Sequence, residues 1–219
     1  MIPKKIFQTH EYQYKDLPQH FQQTSMSWQT MNPGWEYVYH DKDQRESFVL
    51  NNCPEIYPLY KEVKEMYQAD IWRYLIVKDN GGVYADMDSF CITPMDYILK
   101  DLPFGIDMVV TNEEVNNHTN NANFAAIYGS KIMQDAVISL LSWYGDAINK
   151  YPNNSIKIKA KSAIHDAFSS SVYKNSHIVS RTMEASHSST YQKSFDLSKI
   201  IVNDYGKKMS YTDFLSKKQ

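Results

Sequence analysis

Helical periodicity stops abruptly at Gly81-Gly82, and a short apolar segment starts at once. Leu59, Val63, Met66, Tyr67, Ile71, Tyr74 and Leu75 recur at three- and four-residue intervals, which predicts one long helix from about Leu59 to Lys78. Asp79-Asn80-Gly81-Gly82 are strong breakers, and the paired glycines supply the left-handed stop that a tight passage from helix to strand needs. Val83-Tyr84-Ala85 then reads as a strand that delivers Asp86-Met87-Asp88. A helix, turn and strand of this length fold back on one another, so the N-terminal half of the helix comes near the strand's end.

The flanking segments repeat the alternation. Lys5 to Thr9 reads as a short apolar strand, and Leu17 to Thr30 as a helix ended by Asn32-Pro33-Gly34. Trp35 to His40 alternates aromatic and β-branched residues and predicts a second strand. Asp41 can cap a helix through Arg45 to Leu50, and Pro54 and Pro58 punctuate the stretch after it. Met108-Val109-Val110 and Phe124 to Tyr128 are further strand candidates, and Ile132 to Ile148 is an amphipathic helix. Asn112 to Asn123 and Ser180 to Ser194 read as loops, the first either merely solvated or an edge of a site. Strands alternating with helices, ahead of a less regular C-terminal third, imply a mostly α/β single domain over 1–219.

Composition narrows the function classes. With 219 residues and 42% apolar content, the chain can build a sizeable core. A formal net charge of -2 without a basic block excludes nucleic acid as the main partner. Cys53 and Cys91 form neither a disulfide framework nor a metal spacing. The N-terminus has no apolar signal core and no stretch reaches membrane-spanning length, so the expected home is the cytoplasm. The 17 tyrosines suit either core filling or stacking on a flat base.

The chemistry concentrates at Asp86 and Asp88. Two carboxylates one residue apart at a strand end suit a hard divalent cation, Mg²⁺ or Mn²⁺, whose open positions phosphate oxygens fill. Tyr84, Asp86 and Asp88 share one face of the strand. Asp70 and Arg73, three apart on the helix, are either a local ion pair or a grip on sugar hydroxyls and phosphate. His187 is either a surface-loop histidine or a third metal ligand. One rival reading is a phosphatase of the haloacid dehalogenase type, with the first aspartate of the pair as nucleophile. Against it, the pair lies far from the chain's start and no later Gly-Asp-x-x-x-Asp is present. A second rival is a binding module that has the fold without the activity.

Four blocks resemble the glycosyltransferases with a DXD sugar-binding motif (family 32-like). They are Ile2-Pro3-Lys4-Lys5-Ile6-Phe7-Gln8-Thr9, Asn32-Pro33-Gly34-Trp35-Glu36-Tyr37, Ala69-Asp70-Ile71-Trp72-Arg73-Tyr74 and Gly81 to Asp88. That family includes initiating α-mannosyltransferases and capsular sugar transferases, and the spacing of Asp70, Arg73, Tyr84, Asp86 and Asp88 also resembles clostridial toxin glucosyltransferase domains. Asn123 to Ser130 resembles a later Asn-containing block, whereas the Thr-Gly-Pro turn and the C-terminal His-His-x-x-x-Ser-Trp have no clear counterpart.

The resemblance implies a GT-A fold and retaining transfer of a hexose from a nucleotide-diphosphate sugar to a glycan acceptor. A UDP-sugar is favoured, with GDP-mannose open. The donor part would cover about 1–130 and the acceptor or closing part about 131–219. By the same resemblance, Mn²⁺ (or Mg²⁺) would sit on Asp86, Asp88 and His187. Asp70, Arg73 and Asp88 would carry catalysis. Thr9, Asp70, Arg73, Tyr84, Asp86 and Asn123 would line the donor site.

Overall fold

A computed structural model of the chain describes residues 1–100, 102, 104–112, 119–151 and 153–184. In chain order these form β1 (Lys5–Thr9), α1 (Gln19–Met31), β2 (Glu36–His40), α2 (Lys42–Asn52), α3 (Tyr57–Glu62) and α4 (Glu65–Asn80). Next come β3 (Gly82–Ala85), α5 (Met95–Ile98), β4 (Met108–Asn112), β5 (Thr119–Ala126), α6 (Lys131–Lys150), α7 (Asn153–Lys174) and β6 (Val179–Glu184). The strands make one mixed sheet in the order β2-β1-β3-β5-β4-β6. β1 runs parallel to β2 and β3, β5 runs antiparallel to β3 and β4, and β6 is parallel to β4.

Side-chain alternation sorts the core into two layers. Phe7, Tyr84, Val110 and Phe124 point to one face, where residues of α2, α3, α4, α6 and α7 cover them. Ile6, Val83, Ala85, Val109 and Ala125 point to the other, against Trp28 of α1 and Met95 and Ile98 of α5. Trp28 is wholly buried, and its indole N–H donates to the Ser89 carbonyl at 2.8 Å, which ties α1 to the loop after β3. Among the described residues, no helix is long and apolar enough to cross a membrane.

The glycine stop is as expected. Gly81 ends α4 at φ 63° and Gly82 opens β3 at φ 102°. A Cβ on Gly82 would lie 2.8 Å from the Lys5 carbonyl, so only glycine lets β3 pack this close to β1.

Five expectations are corrected. The helix expected from Leu59 to Lys78 is two, because Val63 and Lys64 are extended (ψ 163° and 158°). The break takes Met66 off the apolar stripe, and it is 62% exposed. The Asn-rich segment is not all loop, since Thr119 to Asn123 belong to β5. That strand ends at Ala126 rather than Tyr128, where Ile127 N–H turns to the Asp107 carbonyl. Ser180 to Glu184, also expected as loop, lie in β6. The described part of the C-terminal third, up to Glu184, is regular: α7 runs for 22 residues, with Ile156, Ala160, Ile164, Phe168 and Val172 buried along one face.

Candidate functional site

α4 and β3 bring the predicted residues together at the carboxyl end of β3. Arg73 is buried at the centre. Its Nη2 lies 3.1 Å from Asp70 Oδ1 and 2.9 Å from Asp86 Oδ1, and its Nη1 donates to the Asn121 carbonyl at 2.7 Å. The guanidinium carbon sits 4.3 Å from the centre of the Tyr84 ring, a cation–π contact in a desolvated setting. Tyr84 OH donates to Asp86 Oδ1 at 2.5 Å. One oxygen of Asp86 therefore accepts from both a guanidinium and a phenol. The two aspartates are not equivalent, since Asp86 is partly buried and Asp88 is exposed.

Burial sets the electrostatics. It raises the Asp70 pKa, and the neighbouring Arg73 guanidinium opposes it. Burial alone would lower the Arg73 pKa, but Asp86, then Tyr84 and Asp70, outweigh it and raise the value above its ordinary level. Burial also pushes the Tyr84 phenol well up, so it remains a donor to Asp86.

Neighbouring strands fix the carboxylate loop. Gln8 of β1 is buried, and its amide donates to the Asp86 carbonyl at 3.0 Å while accepting from Tyr37 OH at 2.7 Å. Asp86 N–H donates to the Ala122 carbonyl at 2.9 Å, and Ser89 N–H closes a turn on the Asp86 carbonyl at 3.0 Å. Thr9, expected to line the donor pocket, faces inward. Its hydroxyl donates to the His40 carbonyl at 2.7 Å and accepts from Arg45 Nη1 at 3.1 Å. Asn123, expected at the donor site, is wholly buried on β5 opposite Ala85. His187 lies outside the described residues.

Sequence reading missed three members of this network. Asn121, two residues before Asn123, donates to Asp70 Oδ1 at 3.2 Å and to Tyr74 OH at 2.7 Å. His165 of α7 puts its Nε2 3.8 Å from Asp70 Oδ2. Arg45 is buried between Thr9, Tyr60 and Glu11. The apolar repeat of α7 was the available signal for His165, since it marks a helix that packs on the sheet. Asn121 had no signal beyond its place in the Asn-rich run.

Asp86 and Asp88 fit a hard divalent cation. They offer oxygen donors only, and Asp86 Oδ2 takes neither of the bonds that engage Oδ1. Among the described residues, no group of three or more His, Cys, Asp or Glu side chains is arranged as a closed metal cage. An open ligand set of this kind leaves room for phosphate oxygens. The phosphatase reading fares worse, because Arg73 and Tyr84 draw charge from the Asp86 carboxylate through Oδ1 and make the group as a whole a weaker nucleophile.

Residues 18–104 match the family model described as a glycosyltransferase sugar-binding region containing a DXD motif. The mannosyl phosphorylinositol ceramide synthase SUR1 of Saccharomyces cerevisiae is 31% identical over 48% of this chain and 29% of its own length. An uncharacterized glycosyltransferase, L373, of Acanthamoeba polyphaga mimivirus is 36% identical over 42% and 37%. The initiation-specific alpha-1,6-mannosyltransferase of Candida albicans is 32% identical over 43% and 26%. The chain thus spans well under half the length of these relatives. Among solved structures, the PaToxG glycosyltransferase superposes with a TM-score of 0.57 at 18% identity, over 81% of this chain and 73% of that one. The YGT toxin glycosyltransferase domain superposes at 0.50 with 8% identity, over 76% and 68%. Residues 18–104 are thus similar to the DXD-motif glycosyltransferase sugar-binding region, and the fold is that of the GT-A glycosyltransferases.

Proposed function

We propose that the protein is a metal-dependent, retaining hexosyltransferase that moves a sugar from a nucleotide-diphosphate donor to a glycan. The observation that carries this reading is the Arg73 guanidinium clamped between Asp70 and Asp86, one loop residue away from the exposed Asp88. Asp86 and Asp88 would hold Mn²⁺ or Mg²⁺, which when bound supplies Lewis-acid stabilisation of the leaving nucleotide diphosphate.

The chain's own residues do the positioning. Arg73 and Tyr84 fix the rotamer of Asp86, so the carboxylate pair is pre-organised before the donor arrives. Asp70 is held by Arg73 and Asn121 through Oδ1, which leaves Oδ2 turned toward α7 to accept from a sugar hydroxyl. In the transfer proposed here the acceptor hydroxyl attacks the face that the nucleotide leaves and passes its proton to the departing diphosphate oxygen, so that no enzyme nucleophile is needed. A UDP-hexose is the donor favoured by the toxin-like spacing. The mannosyl transfer named for the yeast relatives supports GDP-mannose beside it.

The test is nucleotide release and sugar transfer from UDP-hexoses and GDP-mannose, with Mn²⁺, with Mg²⁺ and with chelator. Asp88→Ala, at an exposed position, should keep its unfolding midpoint and lose metal-dependent turnover. Wild-type turnover by that variant refutes the assignment. Tight donor binding with neither hydrolysis nor transfer identifies a binding module instead. The anomeric proton of the product reports retention or inversion.

A further inference from the structure

We propose that His165 is a donor-sugar contact, which together with Asp70 reads one hydroxyl of the hexose from the α7 side. The inference rests on the transferase reading above. It concerns a residue outside the motif-bearing elements, on a helix 80 positions beyond the carboxylate strand's last residue.

The placement of His165 is built rather than incidental. Tyr74 OH donates to the Ile164 carbonyl at 3.3 Å, and its ring stacks on Phe168 with centroids 5.4 Å apart and planes 4° from parallel. Tyr74 and Asp70 lie one turn apart on α4, so pinning α7 at Ile164 and Phe168 sets the next residue, His165, beside Asp70. Asn121 joins both anchors, because its amide donates to Tyr74 OH and to Asp70 Oδ1. The whole set is a hydrogen-bonded frame, with His165 as its half-exposed member.

The spacing identifies the ligand chemistry. His165 Nε2 and Asp70 Oδ2 are 3.8 Å apart, too far for a direct hydrogen bond. An oxygen about 2.8 Å from each of them subtends an angle of about 85°, within the range a hydroxyl accepts. A hydroxyl there donates its proton to the carboxylate and accepts from the imidazole N–H, which satisfies both neighbours at once. A hydroxyl can play both parts, whereas a phosphate oxygen would meet Asp70 as a second anion. The site therefore selects a sugar carbon that bears a hydroxyl, and it discriminates against the deoxy analogue at that carbon.

The experiment measures nucleotide release from UDP-glucose, GDP-mannose and their single-deoxy analogues with Mn²⁺. Donor affinity is measured separately by titration calorimetry. Wild-type protein should disfavour one deoxy analogue by on the order of tenfold, the size of one lost hydrogen bond to a carboxylate. His165→Ala should lose that discrimination for the same analogue alone, and His165→Gln, which still donates, should retain part of it. An unchanged unfolding midpoint separates a contact from a packing role. If His165→Ala keeps the full wild-type pattern, the inference is refuted while the transferase reading stands. If wild-type protein neither binds nor turns over any nucleotide hexose, both fall.

Discussion

Replacing Arg73 with Met tests whether the centre of the site is held by charge or by packing. Methionine keeps much of the apolar bulk of the arginine stem, while the guanidinium's contact with the Tyr84 ring is lost with the charge. The change removes the only cation placed between Asp70 and Asp86 among the described residues, together with the bond to the Asn121 carbonyl. The Asp70 side chain is only 8% exposed, so its charge would remain buried and uncompensated. Breaking a buried pair from one side costs about 3–5 kcal/mol. Asp86, at 27% side-chain exposure, recovers some hydration and pulls the expected loss toward about 3 kcal/mol. For a chain of this size that corresponds to a fall of about 6–12 °C in the thermal midpoint. Urea unfolding tracked by circular dichroism reads the loss directly, provided the slope m is unchanged. Asp70→Asn in the Arg73→Met background should restore part of the stability, because it removes the stranded charge. In the wild-type background the same change should cost stability. That sign reversal is a coupling of about 1–3 kcal/mol in a double-mutant cycle. A loss below about 1 kcal/mol for Arg73→Met, or additive effects in the cycle, would refute the electrostatic account.

Two further outcomes concern features away from the carboxylates. Gly82→Ala should lower the thermal midpoint far more than Gly105→Ala. Both glycines have positive φ, but a Cβ meets the Lys5 carbonyl at 2.8 Å in the first and nothing within 4 Å in the second. Equal losses would mean that backbone conformation, not close strand approach, sets the cost. Stability should also fall as pH drops below about 6.5, the unfolded histidine value. Burial lowers the His40 pKa beside Trp72 and Phe48, with Asp41 opposing, so the unfolded state takes up the proton first and folding is penalised. His40→Gln should flatten part of that slope, as measured by thermal midpoints from pH 7.5 to 5, and an unaltered slope would count against burial as the cause.

Local chemistry made much of the frame legible. β1 occupies Lys5 to Thr9 as its apolar run indicates, and Asp41 forms a full capping box with Gln44. The break at Val63-Lys64 escaped because three- and four-residue spacing can continue by chance across two extended residues. Lys61 closing one helix and Glu65 opening the next were the charge signals of two helix ends. α7 was easily overlooked because the exposed Lys157, Lys159 and Lys161 fall in sequence between Ile156, Ala160 and Ile164 of its apolar row. Within the site, Asp70, Arg73, Tyr84 and Asp86 were legible because one helix and one strand place them. Asn121 and His165 were not, because they arrive from β5 and α7, and only tertiary pairing decides which asparagine of a polar run meets Asp70.

The position of β3 in the sheet separates what is similar from what can fold. Its neighbours are β1 on one side and β5 on the other. The stretch matched to the sugar-binding family, residues 18–104, begins after β1 and ends before β5. Excised on its own, that stretch would leave the carboxylate-bearing strand with both edges unpaired and Tyr84 without Phe7 and Phe124. The recognisable motif and the cooperative unit therefore have different borders, and grafting the motif into another scaffold requires carrying β1 and β5, the two neighbours of β3, with it.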